Sequence, residues 1–341
     1  RSSYNPADAQ DANVTVGTAN IAYNGTNGFG VLGNQYQARG SISFSDLTAN
    51  IIQPSASGGG GINGLGTHDA VPMTGDNFTL TSNAKYLGGN SSGGVASYGI
   101  LAGSSVISGE GGNSTANNGL FSSITIAHNA TIDQTTSGGL FNPILNSGLR
   151  AIQGAYLDKG NGSSGKIDIQ GKLDLTLTGA RIEGIYVSGA ATDAAGNEAV
   201  SQVILNDATI TMTRSGATVD SSAIKIGKAR AVGTGKGLVV SRGALTIVMD
   251  PTFGGSQPYM SAAIKMAVSG SQLQANGPSS SANITAARSA LAIGVDDWGS
   301  STDSTGISAA FGKATVTTQS TTAPLLLVDS GQQNASVLFD K

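Results

Sequence analysis

Apolar and polar positions alternate along this chain in short runs, and the runs return in a fixed order. In Lys172-Leu173-Asp174-Leu175-Thr176-Leu177-Thr178 the three Leu point one way and Asp174, Thr176 and Thr178 the other. Ala208-Thr209-Ile210-Thr211-Met212 and Leu245-Thr246-Ile247-Val248-Met249 repeat the arrangement, and Ala130-Thr131-Ile132 carries it earlier in the chain. A period of two with β-branched residues on the outer side predicts half-buried strands, and no helical period fits. Aligning Ile132, Leu173, Ile210 and Ile247 gives spacings of 41, 37 and 37 residues.

A second apolar phrase falls between these runs. It reads Ala151-Ile152, Ile185-Tyr186-Val187, Ala223-Ile224-Lys225-Ile226, Ala263-Ile264-Lys265-Met266 and Leu291-Ala292-Ile293. Aligning Ile152, Ile185, Ile224, Ile264 and Ile293 gives spacings of 33, 39, 40 and 29. Turn signals follow the strands, at Asn161-Gly162, Ser188-Gly189, Ser215-Gly216, Ser269-Gly270 and Ser330-Gly331. Two interleaved strand phrases sharing a drifting period of roughly 38 residues predict stacked copies of one small unit.

The expected fold is therefore all-β, a right-handed parallel β-helix. With two coils of about 19 residues per repeat it would have ~13–15 coils and a length of ~60–70 Å. Residues 1–341 read as a single β-helix domain, loop-rich over 1–120 and more regular over 121–341. In the first part, strand candidates at Asn13–Ile21, Ser41–Ile52, Asn77–Thr81 and Ala96–Leu101 alternate with Gly- and Ser-rich loops such as Gly58–Gly66.

Composition sharpens this picture. Charged residues are 11%, under half the usual share, yet 39% are hydrophobic, which is too apolar for a disordered chain. Cysteine is absent, so nothing rests on disulfides. No stretch approaches the roughly 18 apolar residues of a membrane span. The chain opens at Arg1 without a basic or apolar leader, the start expected after removal of a signal peptide.

Catalytic constellations are poorly represented. His68 and His128 are the two histidines, and Val328-Asp329-Ser330-Gly331 lacks the glycine that precedes the Asp in a protease phrase. These read as turns, not as a Ser-His-Asp triad. Gly160-Asn161-Gly162-Ser163-Ser164-Gly165-Lys166 imitates a phosphate loop, but Ile167 stands where a hydroxyl would hold Mg²⁺. A glycosidase needs paired carboxylates roughly 5–9.5 Å apart. Asp296-Asp297-Trp298, Asp168 and Asp174 are the candidates; Asp296 and Asp297, being adjacent, would face opposite ways on a strand. No cofactor or metal is expected.

Charge is unevenly placed. Residues 1–148 carry three basic and seven acidic groups; residues 201–250 carry six basic and three acidic. Lys225 and Lys265 occupy one outward slot of the Ile-centred phrase, with Tyr186 in that slot a repeat earlier. At two coils per repeat the two lysines would lie about 10 Å apart. Together with Lys228, Arg230, Lys236 and Arg242 they define a candidate cationic face for glycosaminoglycan, acidic glycan or lipopolysaccharide. Few aromatics and a net charge of −3 argue against nucleic acid. The outward Thr, Ser and Asn positions form a second candidate surface, able to make many weak hydrogen bonds between like molecules, each contributing about 0.5–1.5 kcal/mol.

The repeats Ala208-Thr209-Ile210-Thr211-Met212 and Gly243-Ala244-Leu245-Thr246-Ile247, their Gly/Ser/Asn turns, the missing Cys and the low charge resemble a monomeric autotransporter passenger domain. The style is that of the AIDA-like and self-associating adhesins of Gram-negative bacteria, over most of residues 120–341. That resemblance implies a non-enzymatic adhesin displayed on the outer membrane through a C-terminal barrel that this sequence lacks. Host glycans or matrix proteins would be its partners, with self-association in aggregation and biofilm growth. The Gly-Asp-Ser-Gly phrase of the protease members is missing, and Arg39-Gly40 continues into Ser41, so there is no integrin-binding Arg-Gly-Asp. A β-helical polysaccharide-degrading enzyme and a structural fibre rod stay open as alternatives.

Overall fold

The computed structural model describes residues 11–24, 31–33, 39–57, 62–67, 72–87, 97–102, 121–137, 149–154, 164–180, 182–188, 190–192, 198–215, 220–227, 236–254, 260–267, 269–294, 304–328 and 332–340. They form a parallel β-helix without helices, as the alternation predicts. Two long parallel sheets run through the whole stack. The first follows Asp11–Asn24, Arg39–Ser57, Pro72–Leu87, Phe121–Ile126, Ser164–Gly179, Gln202–Arg214, Leu238–Ser241, Gln272–Ala275, Ser308–Phe311 and Ser336–Phe339. The second follows Val31–Gly33, Ile62–Thr67, Ser97–Ala102, Leu149–Gly154, Ile182–Val187, Ser222–Ile226, Ile264–Met266, Leu291–Ile293 and Leu326–Val328.

The first sheet is creased along its length, because each coil turns a corner partway across it. In some coils the crease splits the strand, giving Ala130–Ser137, Ala244–Met249, Ser281–Ala286 and Lys313–Thr318 as separate segments in register with Leu173–Thr178 and Ala208–Met212 of the unsplit ones. Each coil therefore has three faces: one before the crease, one after it, and the second sheet.

Polar side chains at the crease bond to one another and to backbone amides of the next coil. Asn77 Nδ2 donates to Asp46 Oδ1 (3.0 Å), the Asn129 amide to Asn77 Oδ1 (3.3 Å), and the Lys172 amide to Asn129 Oδ1 (3.2 Å). Two coils later the Ala244 amide donates to Asp207 Oδ1 at 2.8 Å. Gly171 sits where a Cβ would overlap the carbonyl of His128 on the coil below, so the crease needs glycine there.

The apolar positions stack into columns. Leu80, Ile132, Leu175, Ile210, Ile247 and Ile284 are consecutive partners on the second face. Ile185, Ile224, Ile264 and Leu291 follow one another on the third. All are buried, within one continuous core. Burying an aliphatic side chain of this kind contributes about 1.5–3 kcal/mol, and repetition makes the column the main source of stability.

Three details depart from the sequence expectation. Ile185, Ile224 and Ile264 are direct partners on neighbouring coils, so one repeat is one coil, not two. Both apolar phrases belong to that coil, one on the second face and one on the third. The first sheet passes through ten rungs, which at about 4.8 Å each span roughly 43 Å, shorter than expected. The register also differs at two places by two residues. Leu175, not Leu173, pairs with Ile132 and Ile210, and Leu291, not Ile293, pairs with Ile264. The four strand candidates of the first 120 residues lie within or overlap Asp11–Asn24, Arg39–Ser57, Pro72–Leu87 and Ser97–Ala102.

Candidate functional site

Three members of the expected cationic face, Tyr186, Lys225 and Lys265, are turned away from solvent. Tyr186, Lys225 and Lys265 do share one column on neighbouring coils, at the strand spacing of about 4.8 Å and not 10 Å. That column is buried, with exposures of 1%, 4% and 2%. Alternation assigns a residue to one side of a sheet, but does not say whether water lies there. Here two carboxylates do. Lys225 Nζ donates to Glu183 Oε1 at 3.0 Å, and Lys265 Nζ is hydrogen-bonded to Asp220 Oδ2. Lys225 Nζ also lies 5.3 Å from the centroid of the Tyr186 ring, within cation–π range. The Ser261 amide donates to Asp220 Oδ1 at 2.8 Å.

The other cations divide. Arg242 is exposed, but its Nη1 stands 3.7 Å from Asp168 Oδ1, two coils away along the first face. Asp168 is buried, and Lys166 Nζ approaches its other oxygen at 3.5 Å. Lys236 is half-buried. Lys228 and Arg230 lie outside the described residues. Sequence reasoning missed Glu183 and Asp220. A signal existed: each stands 42 or 45 residues before its lysine, about one repeat.

The catalytic candidates gain little. His128 is exposed beside the crease, while His68, Asp329, Ser330 and the Asp296-Asp297-Trp298 cluster lie outside the described residues. Of the imitation phosphate loop, Ser164, Gly165 and Lys166 begin a strand and no helix follows them. Asp174 is half-exposed on the second face and paired with Lys172 at 2.9 Å. Among the described residues no group of three or more His, Cys, Asp or Glu could hold a metal. Hydrogen bonds from the Thr252 hydroxyl and amide hold the Asp250 carboxyl below the usual carboxylate range, as part of a local turn.

The outer side of the second face is open to solvent. Two columns of mostly short polar side chains run up it in register, with Ala22 and Val248 as the apolar members. One holds Asn20, Thr48, Thr79, Thr131, Asp174, Thr209, Thr246, Asn283 and Thr315. The other holds Ala22, Asn50, Thr81, Asp133, Thr176, Thr211, Val248, Thr285 and Thr317. All are exposed or half-exposed. Neighbours in a column are about 4.8 Å apart and the columns about 6.7 Å apart, so the face presents a regular grid of hydroxyls and amides. Asp133 and Asp174 are the charged members, and from Thr209 onward both columns are neutral. Comparison with family models, curated proteins and solved structures gives no match for this chain.

Proposed function

We propose that this chain is a non-enzymatic adhesive rod, a segment of a bacterial surface protein that binds along its length to like copies and to hydroxyl-rich surfaces such as neutral glycans. The observation that carries this reading is the nine-coil grid on the second face, mostly Thr and Asn, set against Lys225 and Lys265, which are turned inward and paired. Support for outer-membrane display and a role in aggregation comes from the resemblance of the repeats to self-associating autotransporter passengers. Glycosaminoglycan binding through Lys225 and Lys265 is disfavoured, since a buried lysine already joined to a carboxylate has no free charge to offer.

Charge insertion on the neutral half of the grid tests this. Thr209→Glu, Thr211→Glu and Thr285→Glu together place like charges on a face that would meet its own kind. Beads coated with the parent chain should clump, and beads coated with the triple variant should need at least about ten-fold more protein to do so, roughly 1.4 kcal/mol of lost association. Unchanged clumping by a folded triple variant would remove the second face as the adhesive surface.

A further inference from the structure

An apolar column cannot define its own register to better than two residues. A slip of one residue turns every side chain to the other face, but a slip of two returns each apolar residue to the interior. On the third face Ile224 and Ile226 both point inward, and either could stand opposite Ile264. Backbone pairing tolerates the exchange, since it is blind to side chains. The intervals flanking the adjoining strands, 227–237 and 250–263, are long enough to absorb two residues. Something else must decide.

We propose that the buried ion pairs Glu183–Lys225 and Asp220–Lys265 are register locks, which select one stacking of coils from apolar alternatives of similar stability. Each pair joins adjacent coils, and together they hold the coil containing Ser222–Ile226 from both sides. A two-residue slip would carry Lys265 away from Asp220 and leave both charges buried without a partner. Buried ion pairs add little net stability over apolar replacements, whereas unpaired buried charges are strongly unfavourable. That asymmetry gives specificity without much stability, the behaviour seen when one polar residue fixes the register of a coiled coil.

The chain has no cysteine, so introduced pairs report register without background. Ile224→Cys with Ile264→Cys reports the native stacking. Ile226→Cys with Ile264→Cys reports the slip, because those Cα atoms are roughly 8 Å apart in register, beyond disulfide reach, and about 5 Å apart after it. In the parent, mild oxidation should close the first pair and leave the second open. With Asp220→Leu and Lys265→Met added, the slipped pair should close at least ten-fold faster. A rate unchanged from the parent overturns the proposal. Should the apolar background fail to fold, seen as failure of the native pair to close, the swapped pair Asp220→Lys with Lys265→Glu decides. Restored native closure supports the lock, and fast closure of the slipped pair rejects it.

Discussion

At the scale of single residues, Gln134 is the least comfortable side chain of the core. It is fully buried on Ala130–Ser137, and among the described residues neither carboxamide atom has a hydrogen-bond partner. Its column contains Ser82 below and Leu177, Met212 and Met249 above, so the site already suits a long flexible apolar side chain. A buried amide without partners loses its hydration and gains nothing in exchange, a penalty of about 1–3 kcal/mol. Gln134→Met keeps the length and removes the polar atoms. Urea unfolding should show the variant more stable by about 1–2 kcal/mol; equal or lower stability would mean that the amide has a partner after all.

Among elements, the cross-coil ion pairs make the sharpest stability prediction. Lys265→Met alone leaves Asp220 buried with, among the described residues, the Ser261 amide as its remaining partner. Breaking one partner of a buried pair costs about 3–5 kcal/mol, whereas replacing both with apolar residues is often neutral or better. Adding Asp220→Leu should therefore rescue most of the loss, and a double-mutant cycle on denaturant midpoints measures the rescue. A double variant as unstable as the single one would place the loss in packing, not in charge.

The same elements show what was legible in the sequence. The period-two runs and their return gave the parallel stack, its strands, and the column Ile185–Ile224–Ile264, because a strand must put every second residue inside. Register beyond that was not readable wherever two apolar residues competed for one slot, as at Leu173 and Leu175 or Leu291 and Ile293. Coil number failed for a related reason. Two phrases per repeat look like two coils, and only the pairing of Ile185 directly with Ile224 shows that they are faces of one. The lysine column was placed on the correct side of its strands, but covering of that side leaves no mark in the local pattern. The acidic partners one repeat away were the readable trace. The Thr grid, by contrast, was read correctly as an outward surface, since alternation places it and few bulky groups accompany it.

For the whole molecule, the question is whether the second face is large enough to hold two rods together. Nine coils at about 4.8 Å, by strands of about six residues, give a patch of roughly 800 Å² per copy, the size of an ordinary specific interface. Individual hydroxyl contacts are weak, so affinity depends on many forming together, which a rigid, evenly spaced face permits without ordering loops. Such an interface also has a distinctive response to salt. Its most regular half, Thr209 to Thr317, holds no charge in its two columns, and Asp174 is already paired with Lys172 within the chain. On the proposed reading, self-association measured by sedimentation velocity should change by less than about three-fold between dilute buffer and high salt, because screening acts on charges that this contact hardly uses. Binding to an anionic polymer through a basic face would instead weaken steeply as salt rises. A steep fall in self-association would return attention to Arg242, Lys236 and the other surface cations and away from the threonine grid.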